Sequence, residues 1–73
     1  MKATVHSTSK KVHLNGLETR IWEGHTEKGI PFVMFVALVR VESQVDNAEF
    51  EQQLTEQAAP SPIASAISPR MIL

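Results

Sequence analysis

Few side chains in this chain have the types and spacing that chemistry needs. Trp22 is the only tryptophan. On a strand, where side chains alternate between two faces, it shares a face with Glu18 and Arg20. Tryptophan and arginine are the residues most enriched at binding hot spots. The same pair can stack a nucleobase and neutralise a phosphate. The competing reading is packing, with Trp22 under a helix or the C-terminal segment and its indole N–H bonded to backbone. Arg40 interrupts an apolar run near its end. It would serve a seam against Glu18 or Glu42 of a second copy, or an anion site shared with Arg20. A solvated arginine is the simpler reading.

Catalytic sets are harder to draw. His25 with Glu23 or Glu27 makes a dyad on paper, but a Gly-bracketed polar turn offers no pocket around it. Ser7, Ser9, Ser61, Ser65 and Ser68 lie in segments that read as flexible or extended, and a nucleophile needs a rigid, oriented base beside it. His6, His13 and His25 do not fall at a metal-ligand spacing, and there are no cysteines. The expectation is a non-enzymatic protein without metal or cofactor.

The totals agree. Seven Lys plus Arg face eight Asp plus Glu, a balance that gives no strong field for nucleic acid or an anionic membrane. Lys10, Lys11 and His13 form a small basic patch without interleaved aromatics, so nucleic acid is disfavoured as a partner. No segment reaches membrane-spanning length. A cysteine-free chain fits the cytoplasm. With 73 residues, one core of this size supplies roughly 3–5 kcal/mol, and small folds add disulfides, metal or oligomerisation. Of these, oligomerisation remains.

The elements that must position these residues follow from pattern. Residues 1–9 are polar and read as a loose N-terminus or short edge strand. Asn15-Gly16 between two alternating segments signals a type I′ hairpin, with strands at about 10–14 and 17–23. A polar loop, 24–29, leads to a long strand over about 31–42. Both faces of that strand are apolar: Phe32, Met34, Val36 and Leu38 on one, Val33, Phe35, Ala37, Val39 and Val41 on the other. Asp46 and Glu49 make a capping box, with Val45 and Phe50 as a hydrophobic staple, for a helix over about 47–58. Pro60 and Pro62 end it. Ile63, Ile67, Met71, Ile72 and Leu73 make the remainder too aliphatic for a disordered tail, and its prolines predict an extended arm over 60–73. It would dock on its own sheet or on a neighbouring subunit.

The stretch Leu14–Gly24, the Gly-bracketed loop, the long strand and the Pro-Arg-Met-Ile-Leu ending resemble small accessory proteins of bacteriophages. The resemblance implies a protein of the bacterial cytoplasm that works by occupying a host or defence factor, or a signalling nucleotide.

The expected fold is α+β, a three- to four-stranded antiparallel meander with one helix and an extended C-terminal arm, the body spanning 10–59. A chain this short cannot cover both faces of its long strand, so a homodimer or higher oligomer is expected. Its interface would use Phe35, Ala37 and Val39 with Ile67, Met71, Ile72 and Leu73. Glu18, Arg20, Trp22 and Arg40 are the candidate binding residues. The partner is a protein or, alternatively, an anionic nucleotide held at subunit interfaces.

Overall fold

Asn15 and Gly16 set the frame. Both have positive φ, 51° and 82°, as a two-residue type I′ turn requires. The turn joins β1 (Ala3–Leu14) to β2 (Leu17–Thr26), with Leu14 opposite Leu17. A four-residue loop, 27–30, leads from β2 to β3 (Pro31–Val36). There the Thr26 N–H donates to the Ile30 carbonyl at 3.0 Å, and Gly29, at φ 83°, supplies the left-handed residue that such loops need. The computed structural model describes residues 1–42 and 47–73. It adds α1 (Asn47–Leu54), α2 (Pro62–Ser65) and β4 (Arg70–Met71). The sheet order is β3-β2-β1-β4; β4 runs parallel to β1 and the other neighbours are antiparallel. The fold is α+β, a small mixed sheet with two short helices.

β1 starts at Ala3 and its N-terminal half pairs with β2, while β4 reaches only His13 and Leu14, so among the described residues nothing pairs with the other side of residues 3–6. Three expectations need correction. The long strand stops at Val36, where the chain bends at Ala37 and leaves β2. The helix ends at Leu54 rather than 58. Thr55 helps to end it, since its hydroxyl donates to the Gln52 carbonyl at 2.6 Å. Ala58 is then recruited to β1: it donates to the Ser7 carbonyl and accepts from the Ser9 N–H, both at 3.0 Å. Finally, the C-terminal segment is not simply extended. Ser61 caps α2 and Pro62 opens it, the usual place for a proline in a helix. The expected capping box and staple involve Val45 and Asp46, which lie outside the described residues.

A bulge shapes β1. Ser7 faces Trp22 and Lys11 faces Arg20, so three residues of β1 stand against Ile21 alone. Thr8 occupies the gap and is fully buried. Its hydroxyl donates to the Ile21 carbonyl at 2.8 Å and accepts from the Lys10 N–H at 3.3 Å. The Arg20 guanidinium donates to the Thr8 carbonyl at 3.1 Å. These bonds satisfy polar groups that burial would otherwise leave orphaned.

One face of the sheet carries the core. Val12 and Ile21 are fully buried with Ala64 of α2, and Val33, Phe35, Ile67 and Met71 pack around them. The C-terminal segment leaves the edge of β1 at Ala58, crosses this face through α2, and returns to the same edge as β4. The opposite face is open. The solvent-accessible surface of the chain, 5,775 Å², exceeds the about 4,500 Å² of a compact monomer of this mass. The radius of gyration, 13.3 Å, likewise exceeds the about 11 Å of a compact chain this long.

Candidate functional site

The open face is where the expected binding residues meet. Glu18, Arg20 and Trp22 alternate along β2 and project to the side away from Ile21 and the core. The hairpin register places Lys11 opposite Arg20 and Ser7 opposite Trp22; β3 adds Val36 opposite Arg20 and Met34 opposite Trp22. A shallow hollow of about 500 Å³ lies over this surface. Its floor holds Trp22, Arg20 and Lys11, and Val36, Leu38 and Leu54 supply apolar walls.

Charge in the hollow is unevenly balanced. Lys11 and Arg20 are directly opposite on adjacent strands, a like-charge placement that costs stability. Glu18 relieves it only weakly, since its carboxylate lies 4.0 Å from Lys11 Nζ and both groups are solvated. One Arg20 nitrogen is committed to the Thr8 carbonyl. Arg20 is therefore both a pin for the bulge and a cation presented beside Trp22.

The remaining expected residues fall elsewhere. Arg40 is exposed and lines a second hollow of about 360 Å³ with Glu42, Asn47, Phe50 and Glu51, apart from Trp22. Phe35, Ile67 and Met71 pack within the chain on the core. Ala37 and Val39 line the Trp22 hollow. Ile72 and Leu73 are exposed at the end of β4, where the Leu73 N–H donates to Asn15 Oδ1 at 2.8 Å.

Sequence reasoning did not assign Lys11 to the Trp22 site, although the signal was present. A two-residue turn fixes the register, and counting back from Leu14 opposite Leu17 places Lys11 against Arg20. Leu54 had no such signal, because its place beside Trp22 depends on how α1 packs.

Glu23, Ser61 and His6 form a second cluster, on the core side. Glu23 accepts from the Ser61 hydroxyl and, at 3.0 Å, from the Ser61 N–H, and His6 is its cross-strand neighbour. The order of groups decides its chemistry. A serine nucleophile needs an imidazole between hydroxyl and carboxylate; here the carboxylate stands between hydroxyl and imidazole. The Ser61 oxygen also accepts from the Ala64 N–H at 3.2 Å, capping α2. The cluster is thus a latch that holds the C-terminal segment on the sheet. His25 is exposed, and both oxygens of Glu23 are taken by Ser61.

The latch has a pH signature. The Ser61 hydroxyl, the Ser61 amide and the charge of His6 hold the Glu23 carboxyl below its ordinary value of 4.5, against a smaller opposing effect of desolvation. A carboxyl depressed by folding stabilises above its unfolded pKa, and that contribution fades as pH falls through the folded value. Glu23→Gln should therefore melt at a lower temperature than the wild type at pH 7. The gap should close as pH drops below 4.5. Thermal melts of both proteins between pH 7 and pH 3 check this, and a gap independent of pH would show that the carboxylate is not the anchor.

No helix among the described residues is long and apolar enough to cross a membrane. Comparison of the chain with models of known families, with curated proteins and with solved structures finds no match.

Proposed function

We propose that this chain is a non-enzymatic binding protein that acts as an oligomer and engages a macromolecular partner through the open face of its sheet. One observation carries the reading: Trp22 sits beside a facing pair of cations, Arg20 and Lys11, in a hollow with apolar walls that the chain leaves uncovered. An aromatic anchor with a polar rim is the anatomy of a protein interface. The excess of positive charge on its floor suits a partner that brings an acidic side chain beside an apolar one. The phage-accessory resemblance points the same way, to an inhibitor or adaptor that occupies a host or defence protein in the bacterial cytoplasm.

A second reading has its own support. Lys11 facing Arg20 costs stability unless an anion lies between them, and Trp22 beside them offers a stacking surface. An anionic nucleotide held at subunit interfaces meets the same chemistry.

Native mass spectrometry of the protein isolated gently from its source, wild type beside Trp22→Ala, tests both. The wild type should carry added mass, protein-sized for the first reading and nucleotide-sized for the second. Truncating a hot-spot tryptophan costs about 2 kcal/mol or more, roughly a thirtyfold loss of affinity, so Trp22→Ala should lose the added mass while circular dichroism shows its fold intact. Trp22 is a better probe than Arg20, whose removal also frees the Thr8 carbonyl. Equal capture by both proteins would move the binding site off this face.

A further inference from the structure

We infer that two copies of this chain join through the free edges of β3, paired antiparallel about Met34, to make one continuous eight-stranded sheet. The inference deepens the oligomeric part of the reading above by naming the surface, and it is independent of what the Trp22 hollow binds.

β3 ends the sheet, and no described residue pairs with its outer side. The register tells which backbone groups are free. The Thr26 N–H bonds the Ile30 carbonyl. Antiparallel ladders alternate, so Phe32, Met34 and Val36, opposite Gly24, Trp22 and Arg20, turn their N–H and C=O groups toward β2. Val33 and Phe35 turn theirs outward. Natural proteins guard such edges with lysines, prolines or bulges. β3 has no charged residue, and Pro31 removes only the first donor.

The segment is complementary to itself. With a two-fold axis beside Met34, Val33 of each copy exchanges both backbone bonds with Phe35 of the other. Met34 then meets its own counterpart, and Phe32 meets Val36. Each of these contacts is apolar on both sides, and no like charges are brought together. Four exposed apolar side chains, Ile30, Met34, Leu38 and Val39, lie on β3 or beside it, while Met1, Leu17, Ile63, Ile72 and Leu73 are exposed elsewhere. The area also suits a second copy. The chain exposes about 1,300 Å² more than a compact monomer, whereas a stable interface takes about 800 Å² from each partner.

Cysteine and charge substitutions at Met34 test the register. Met34 is 38% exposed, so neither change disturbs the core. The chain has no cysteine of its own. In an antiparallel non-bonded pair, opposing Cβ atoms lie about 4.5–5.5 Å apart, close enough for a disulfide after modest adjustment. Met34→Cys should cross-link into dimers with diamide, whereas Glu27→Cys, exposed in the β2–β3 loop, should not. Met34→Lys and Met34→Glu should each fall from twice 8.1 kDa to 8.1 kDa by light scattering, and mixing the two should restore the dimer. A wild-type monomer would overturn both this inference and the oligomeric part of the proposed function. A wild-type dimer in which Met34→Cys cross-links no better than Glu27→Cys, and which Met34→Lys leaves intact, would overturn the β3 edge alone.

Discussion

Replacing Ile21 with alanine should remove most of the protein's stability. Ile21 is the largest of the fully buried side chains. It links the two halves of the core, lying across from Phe35 on β3 and packing in the cluster with Val12 and Ala64. Ile→Ala at such a site costs about 2–5 kcal/mol, from lost transfer energy and the cavity left behind. A domain of this size holds roughly 3–5 kcal/mol in total, so the loss is comparable to the whole. Among the described residues only three apolar side chains are fully buried, which leaves little to collapse into the cavity. Urea unfolding followed by Trp22 emission, at one fixed protein concentration because association adds to apparent stability, gives the number. Ile21→Val should lose only about 0.5–1.5 kcal/mol. A loss below 1 kcal/mol for the alanine variant would mean that the core does not centre on Ile21.

Gly24→Ala should be destabilising, by about 1–3 kcal/mol or more. The sign is the informative part. Gly24 does not have the positive φ that marks Gly16 and Gly29, and on conformational grounds alanine in a strand interior improves on glycine by roughly 0.5–1 kcal/mol. Packing reverses this. A Cβ at Gly24 would lie 2.5 Å from the Thr4 carbonyl oxygen, 2.6 Å from Val5 Cγ1 and 3.0 Å from Phe32 Cζ. The first of these is backbone, so the end of β1 would have to move. Phe32, opposite Gly24 on β3, covers the glycine with its ring, a known device for rescuing a glycine within a sheet. Thermal melts of Gly24→Ala and Gly29→Ala separate the causes. The second has open space around it and φ at 83°, so its cost is backbone strain of about 1–2 kcal/mol. A Gly24→Ala variant as stable as the wild type would mean that β1 and Phe32 do not close over this position.

The hairpin is the part of the fold most legible in the sequence. Asn15 and Gly16 accept positive φ, and that local preference sets the turn, the register and the face on which each β2 residue lies. Glu18, Arg20 and Trp22 share a face for this reason, and Lys11 joins them by the same counting. α2 was not expected: Ser61 as cap and Pro62 at the first helical position carry its signal, but the prolines of this segment read as an extended arm. The bulge was not legible. Ser7-Thr8-Ser9 is polar without alternation and reads as loose or a short edge strand, yet Thr8 is fully buried because its hydroxyl finds the Ile21 carbonyl.

The long apolar run shows most clearly where sequence ends and tertiary structure begins. Alternation identified two apolar faces over Ile30–Val41, since side-chain direction in a strand is a local property. Which face would be covered, and how far the strand would run, are not local. The C-terminal segment covers the Val33–Phe35 face because Glu23 latches Ser61, a contact between residues 38 apart in sequence. β3 ends at Val36, and Leu38 and Val39 line the hollow shared with Leu54. The sequence by itself determined the turn, the faces and the candidates Arg20 and Trp22, because those follow from backbone preference and a period of two. The tertiary structure alone decided that Arg40 stands apart, that Phe35 faces inward and that the Trp22 face stays open. Those outcomes depend on hydrogen bonds and packing between segments that sequence distance does not encode.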